Sequence, residues 1–317
     1  MMAALLAAVS CNKAELPPQG NNSPSAKEYV MSIGLSGEIT GVTITDLTKA
    51  GSSDLYGIQV YSSFENQGYK PYAYGLFTSL SGLSIRLLEG YQYKFEATLI
   101  IDGKDRIKHY SSGYSYPFKF RVATTGAEIG PAFIYATDSC MNNLGYGITA
   151  GYEYSNLMYF ADIDRYYGEL SGYTPSEGGK VTIDMKRTVY CMKVIAEGLT
   201  EGSLTVTCSE SPDLVITSPE KEKESIYSFK DIRAAWEKDD YSVSRTMSFV
   251  WTKADGTTVP VATQAFEFYR NKRTTINVKV IDDGHDIGVG VNTENAAITD
   301  GNSYQVVPGS SSDQPIE

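Results

Sequence analysis

The segment "YQYKFEATLII", residues 91–101, alternates apolar and polar side chains along most of its length. Its apolar face consists of Tyr91, Tyr93, Phe95, Ala97 and Leu99. Its polar face consists of Gln92, Lys94, Glu96 and Thr98. Because successive side chains of a β-strand point to opposite faces, the alternation predicts an antiparallel strand with one face in a core and one in solvent.

The same period recurs elsewhere in the chain, as in "KVTIDMK" (180–186) and "TTINVKV" (274–280), and Asp255-Gly256 is typical of a hairpin turn. One helix is predicted, in "SFKDIRAAWEKDD" (228–240), with Ser228 as its N-cap and Asp231 completing an S-x-x-D box. Three apolar side chains fall on one face of this helix and would cover a sheet: Phe229, Ile232 and Trp236. Many short strands with one helix predict an all-β fold of antiparallel β-sandwich domains with one short covering helix.

The best candidate linker is "GYTPSEGG", residues 172–179. It divides the chain into an N-terminal sandwich at 27–175 and a C-terminal sandwich at 176–284, followed by a polar tail at 285–317. In an alternative arrangement, strands from both halves complete one sheet. Within the tail, only "SYQVV", residues 303–307, resembles a strand.

The first residues form an apolar run that ends in a cysteine, "LLAAVSC" (5–11). The run is far too short to cross a bilayer, which takes about 20 apolar residues, but it has the layout of a secretory signal. It resembles the lipobox of bacterial lipoproteins, in which the cysteine, here Cys11, is acylated and becomes the new N-terminus. The polar stretch after Cys11 is rich in Pro, Asn and Ser and suits a tether, so residues 1–26 are interpreted as signal and tether.

The composition narrows the classes of function. The net charge is −11 with both signs mixed along the chain, which argues against binding to nucleic acid or to an anionic membrane surface. The 24 tyrosines and 29 glycines suit pleated strands and turns, and tyrosine also suits an extracellular binding face. Strand packing is the simpler of these two explanations.

Three cysteines lie in the body of the chain: Cys140, Cys191 and Cys208. An odd number allows no complete disulfide framework. Cys191 and Cys208 occur in two predicted strands around the turn "EGLTEG" (197–202). The register with the more apolar inward face points Tyr190, Met192 and Val194 into the core. In that register the two thiols lie on opposite faces, so no disulfide between them is predicted.

No arrangement of residues suggests catalysis. The two histidines, His109 and His285, lie beside no recognisable nucleophile motif, and no G-x-S-x-G is present. Asp162 and Asp164 share a strand face, but paired carboxylates must converge in space to serve a glycosidase. The segment "DDGHDIG" (282–288) lacks the ligand spacing of a calcium loop. We therefore expect a non-enzymatic protein with no cofactor and no metal.

Several segments in order resemble the fimbrillin-like surface lipoproteins of Bacteroides-type bacteria. They are "DLYGIQVYS" (54–62), "YAYGLF" (72–77), "DRYYGE" (164–169), "MKRTVYCMKVIAEGLTEGSL" (185–204), "WTKADGTTVP" (251–260) and "FYRNKRTTINVKV" (268–280). The resemblance implies two transthyretin-like β-sandwiches, a lipid anchor in the outer membrane at the cell surface, and a role in fimbriae and adhesion. It also implies partners: other fimbrial subunits or further copies of the chain, and surface ligands of host or bacterial cells.

In that family a protease cuts an early loop after an arginine and removes the first strand, so that a strand of the next subunit can be added. The corresponding loop here is "TDLTKAGSS" (45–53), which carries Lys49 where the family has arginine. The candidate exchanged first strand consists of Tyr29, Val30, Met31, Ser32, Ile33, Gly34 and Leu35. The candidate exchanged tail segment consists of Tyr304, Gln305, Val306 and Val307. Stalk subunit, tip, anchor and a member that never polymerises all remain open as roles.

Two other functions fit the same features. A glycan-binding surface lipoprotein of a carbohydrate-uptake system shares the lipobox, the sandwich and the many aromatic residues. Such a site would use exposed aromatic platforms, for which Trp251 is a candidate, whereas Trp236 is expected to be helix packing. A purely structural envelope protein is the third alternative.

Overall fold

The computed structural model describes residues 26–39, 53–104, 108–110, 113–116, 119–121, 129–137, 140–142, 144–145, 163–208, 211–280, 296–297 and 303–305. The predicted lipidation site Cys11, the loop residue Lys49, and Asp162, His285, Val306 and Val307 lie outside these ranges. In agreement with the sequence, the fold is all-β with one short helix.

The first half of the chain has twelve described strands, eight of which form a sandwich. The twelve are β1 (Glu28–Gly37), β2 (Leu55–Phe64), β3 (Lys70–Phe77), β4 (Ser84–Leu88), β5 (Tyr91–Ile100), β6 (Lys108–Tyr110), β7 (Gly113–Tyr116), β8 (Lys119–Arg121), β9 (Ile134–Tyr135), β10 (Cys140–Asn142), β11 (Arg165–Tyr173) and β12 (Lys180–Arg187). Eight of them pair in the order β4-β1-β12-β11-β5-β2-β3-β9, while β6 pairs with β7 and β8 with β10.

The N-terminal core forms because β12 changes partners along its length. Residues 180–185 pair in parallel with β1, and residues 186–187 pair with β11. The strands β4, β1 and β12 therefore form one layer that faces β11, β5, β2 and β3. The alternating apolar side chains of both layers form a shared core, to which β5 contributes the predicted set Tyr93, Phe95, Ala97 and Leu99.

The second half forms another sandwich. Its elements are β13 (Val189–Glu197), β14 (Ser203–Cys208), β15 (Leu214–Thr217), β16 (Glu222–Ser228), α1 (Ile232–Glu237), β17 (Ser242–Thr252), β18 (Thr258–Tyr269), β19 (Lys272–Lys279), β20 (Ala296–Ala297) and β21 (Ser303–Gln305). One sheet has the order β16-β13-β19, with β20 and β21 both on the free side of β19, and the other has the order β15-β14-β17-β18. Their inner faces enclose a second core.

The change from one sandwich to the other occurs at Thr188, between β12 and β13. The strand β12 follows the predicted linker at 172–179, yet it pairs with β1 in the N-terminal sheet. The predicted division at 175/176 stays a prediction. The pairing leads us to propose a boundary at Thr188.

The structure corrects three local predictions. Strands β13 and β14 do not form a hairpin; they lie in opposite sheets, where β13 pairs with β16 and β19, and β14 pairs with β15 and β17. The helix begins at Ile232 with Asp231 as its N-cap, whose side chain accepts a hydrogen bond from the Ala234 N–H (2.9 Å), and Ser228 ends β16 instead. The second half of β5 is buried on both faces, since Glu96 and Thr98 are only 4% and 1% exposed.

The predicted inward face of β13 is confirmed. Tyr190, Met192 and Val194 belong to the C-terminal core, and Cys191 and Cys208 are both buried and form no disulfide with each other. Burial, followed by the neighbouring Glu224, raises the pKa of the Cys191 thiol to about 12, so this cysteine stays protonated and unreactive at neutral pH.

Candidate strand-exchange site and domain junction

The predicted first strand is β1, and it lies inside a sheet rather than at an edge. It pairs in parallel with β12 through residues 32–37 and antiparallel with β4 through residues 28–32. Strand β1 therefore fills a slot whose two walls are β4 and β12. If β1 left, both walls would present unpaired N–H and C=O groups, which only another strand could pair well.

The side chains of β1 alternate between the core and the surface. Met31, Ile33 and Leu35 point into the N-terminal core and are 1%, 6% and 3% exposed, whereas Val30 is 64% exposed. At roughly 25 cal/mol for each Å² of apolar surface, three such side chains contribute several kcal/mol to strand retention. A strand that replaces β1 must therefore supply apolar side chains at three alternate positions.

The outer edge of β4 is closed by tyrosine hydroxyls. The N–H groups of Arg86 and Leu88 donate to the hydroxyl oxygens of Tyr135 (2.8 Å) and Tyr93 (2.7 Å), and the Tyr72 hydroxyl donates to the Arg86 carbonyl (2.8 Å). These bonds satisfy backbone groups that would otherwise attract a further strand. Addition at the β1 slot thus requires that β1 itself leaves.

The end of β1 is fastened to the C-terminal sandwich by Glu38. Its carboxylate accepts hydrogen bonds from the Arg187 N–H (3.0 Å) and from Nη1 and Nη2 of Arg270 (2.7 and 3.0 Å). Burial raises the pKa of Glu38, but the hydrogen bonds from Arg270 and Arg187 outweigh burial, so the net shift is downward. This pair was not predicted from the sequence, although Gly37 and Glu38, directly after the apolar alternation, mark where the strand ends.

Helix α1 connects the two sandwiches through a second group of charges. Arg233 on α1 donates from Nη2 to Glu96 (3.0 Å) and from Nε to Glu169, while Lys94 lies 2.8 Å from Glu96 and 3.0 Å from Glu169. The Tyr167 hydroxyl also donates to Glu169. Two carboxylates and two cations thus compensate each other beneath the helix. This arrangement suits a structural junction rather than an acid–base pair.

This group predicts a pH dependence of stability. Burial raises the pKa of Glu169, but hydrogen bonds from Tyr167, Lys94 and Arg233 lower it more, so the folded-state pKa lies below its usual 4.5. The stability that Glu169 contributes is therefore present above about pH 4.5 and is lost as the pH falls through the lowered pKa. We expect the thermal midpoint to fall between about pH 5 and pH 3, and to fall less steeply in Glu169→Gln. The exposed Glu237→Gln is the control, and equal slopes in all three proteins would contradict the expectation.

The other predicted residues do not assemble a reactive site. Asp164 forms a two-point ion pair with Arg187 (2.7 and 2.8 Å), and Trp251 is 3% exposed in the C-terminal core, where its Nε1–H donates to the Glu201 carbonyl (3.1 Å). His109 lies in β6. Within the described part of the chain, no group of three His, Cys, Asp or Glu side chains could hold a metal ion. In the same part, no helix is long and apolar enough to span a membrane.

The candidate tail segment pairs with its own chain. Residues 303–305 of β21 lie parallel to residues 275–277 of β19, and β20 pairs with residues 272–273. The tail therefore occupies the free side of β19. In this arrangement Tyr304 and Gln305 are not available to a second molecule.

No protein-family model and no curated protein sequence matches the chain. Similar solved structures include a candidate adhesin from Bacteroides ovatus (8% identity, TM-score 0.39, covering 82% of this chain and 90% of that one). They also include the tip fimbrial protein Mfa3 from Porphyromonas gingivalis (11%, 0.34, 81% and 96%) and a fimbrial assembly protein from Parabacteroides distasonis (10%, 0.34, 88% and 99%). These are proteins of the kinds that the fimbrillin-like resemblance names. Because the likeness is remote, a function has to rest on the residues of this chain.

Proposed function

We propose that the protein is a non-enzymatic cell-surface lipoprotein that serves as a subunit or accessory of a fimbria in adhesion and joins its neighbours by β-strand addition. The position of β1 carries the proposal. The strand fills a slot between β4 and β12, and the segment that follows it, residues 40–52, contains Lys49. A cut in that segment would break the covalent link between β1 and β2. Only noncovalent contacts would then hold β1 in the slot.

The anchor rests on the sequence. Cys11 ends an apolar run and begins a polar tether that lies before β1, so acyl chains on Cys11 would hold the sandwiches away from an outer membrane. We expect mass spectrometry of membrane-extracted protein to find lipid on an N-terminal Cys11. A Cys11→Ser variant that stays anchored would show that another segment holds the protein.

The alternative function, glycan binding on a tryptophan platform, has less support. The sequence contains two tryptophans, and Trp251 is in the C-terminal core. Trp236 packs edge-on against Tyr167, with ring centroids 5.9 Å apart. Both indole rings are thus used in packing.

Strand addition can be tested with purified protein. The full chain, intact and nicked by a trypsin-like protease at Lys49, is incubated at high concentration and run unboiled on denaturing gels. We expect ladders from the nicked form, because the loss of β1 opens the slot, and monomer from the intact form. The proposal fails if neither form assembles and deletion in the native cell leaves fimbriae and adhesion unchanged.

A further inference from the structure

Arg270 is a buried cation whose main counter-charge belongs to the removable strand. Its side chain is 5% exposed and contacts Glu38, the Arg187 carbonyl (3.0 Å) and Asp239 (3.3 Å), whose own side chain is 78% exposed. A guanidinium held away from water needs a carboxylate in direct contact, and Glu38, whose side chain is 35% exposed, provides it. When β1 leaves, Glu38 leaves with it, and Arg270 loses two of its hydrogen bonds.

The slot therefore selects for more than apolar side chains. Its inward positions take the apolar side chains of Met31, Ile33 and Leu35, and its last position takes the carboxylate of Glu38. At Gly34 a Cβ atom would lie 2.8 Å from Cε of Lys180, the flexible end of a side chain that can move aside, so a larger residue is tolerated there. A replacing strand has to present this series in order.

A segment of the tail has the same pattern of alternate apolar side chains followed by a carboxylate. Residues 287–294 read "IGVGVNTE", whereas residues 31–38 read "MSIGLSGE". Aligned without a gap, Ile287, Val289 and Val291 take the inward positions. The same alignment places Gly290 at Gly34 and Glu294 at Glu38.

The alignment departs from β1 at one position, where Thr293 replaces Gly37. Gly37 has a φ of +98°, and a Cβ atom there would lie 2.4 Å from the Met185 carbonyl oxygen, so the turn after the strand has to take another path. The segment "SYQVV" fits less well, because Pro308 follows it and its first acidic residue is Asp313.

We propose that Arg270 selects the strand that occupies the β1 slot by requiring a carboxylate at its end, and that residues 287–294 of a second copy supply it through Glu294. This rests on the proposed function, since β1 has to leave first. The carboxylate stands at the C-terminal end of both series. It therefore fixes the direction of the incoming strand, which runs parallel to β12 as β1 does.

Geometry favours a second copy over the chain's own tail. Strand β1 runs toward Thr188 because it is parallel to β12, and β19 runs away from Thr188 because it is parallel to β13. By these registers Met31 is level with residue 179 and Val280 with residue 198. At about 3.3 Å per residue, Met31 therefore lies about 30 Å before Thr188 and Val280 about 33 Å beyond it. For strands at a right angle or a wider one, these ends are at least about 45 Å apart. Residues 281–286 span at most about 25 Å.

The tail of a neighbouring molecule is not subject to this limit on distance. The end of β19, where the tail begins, and the start of β1 are the ends of these strands that are remote from Thr188. Molecules arranged head to tail bring the tail of one to the slot of the next, which gives a heterologous contact that can repeat. Strands β20 and β21 would have to leave β19 to free the tail.

The test uses the full chain with a protease site engineered between residues 40 and 52. The protein is cut at this site, and an excess of peptide then displaces β1 from the slot. The probes are labelled peptides of residues 285–297, wild-type and E294Q, with N292A as the matched control, and affinity is measured by fluorescence anisotropy. We expect E294Q to bind at least tenfold more weakly than the wild-type peptide and N292A to bind equally well. With R270Q protein the wild-type and E294Q peptides should bind alike.

The outcomes separate the two proposals. If the wild-type and E294Q peptides bind equally well to nicked wild-type protein, strand addition stands and the role of Arg270 is wrong. Tighter binding of a peptide of residues 301–312 would reject residues 287–294 as the partner segment. If neither these peptides nor one of residues 28–39 enters the slot, strand addition itself fails, and this inference fails with it. The peptide changes leave the protein intact, so a misfolded R270Q variant does not decide the result.

Discussion

Ile33→Asp should destabilise the protein by about 4 kcal/mol or more, whereas Val30→Asp, three residues earlier on the same strand, should change its stability by less than about 0.5 kcal/mol. Ile33 is 6% exposed in the N-terminal core and Val30 is 64% exposed. A carboxylate at position 33 would lie among apolar side chains without a partner. A carboxylate at position 30 would lie in solvent opposite Arg86 of β4.

The measurement is urea unfolding followed by tryptophan fluorescence, to which Trp236, packed on Tyr167 at the junction, and Trp251, in the C-terminal core, both contribute. The two substituted residues lie on opposite faces of β1, and both variants carry the same added charge. Each variant is therefore the control for the other. Equal midpoints would mean that β1 does not insert alternate side chains into the slot. A lower midpoint for Val30→Asp would mean that its register is shifted by one residue.

The second large effect is expected for Arg233→Ala, which should destabilise the protein by about 3 kcal/mol. This value is at the low end of the range for a broken buried ion pair, because the Arg233 side chain is one-third exposed. The side chains of Glu96 and Glu169 are 5% and 11% exposed, and after the substitution Lys94 is their remaining cation in this group. Two carboxylates would then share one counter-charge in a poorly solvated site. The contact of α1 with the N-terminal sandwich should loosen.

Thermal unfolding of Arg233→Ala should show a lower midpoint, and the two sandwiches should separate into two transitions. Glu237→Ala on the exposed face of the same helix controls for helix propensity. Adding Glu96→Gln should recover part of the loss, because it removes one of the two carboxylates. A single transition at the wild-type midpoint would show that these charges do not hold the sandwiches together.

Strand identity could be predicted from the sequence because it depends on local periodicity. The apolar face of β5 and the inward face of β13 follow from side chains that alternate along one segment. The hairpin at Asp255-Gly256 follows from turn residues that adopt the required backbone angles, and it joins β17 to β18. In each case the deciding neighbours lie within a few residues.

Part of the candidate site could also be predicted from the local sequence. The residues from Tyr29 to Leu35 could be recognised as a strand, and all of them lie in β1. The helix start was misplaced by local reasoning, since both Ser228 and Asp231 can cap and the pairing of Ser228 with Val189 in the sheet decides between them. The many tyrosines were assigned to strand packing, whereas three of their hydroxyls also close the edge of β4.

The sequence by itself determined which segments are strands, which faces they bury, and that no nucleophile motif accompanies its two histidines. Only the tertiary structure decided that β1 lies between β4 and β12, that β13 and β14 belong to opposite sheets, and that Glu38 meets Arg270, 232 residues away. The physical reason is that every backbone offers the same N–H and C=O groups. Alternation therefore fixes which face of a strand is buried but not which strand lies beside it. Strand partners and buried ion pairs are chosen by the packing of the whole core, where distant segments compete for the same positions.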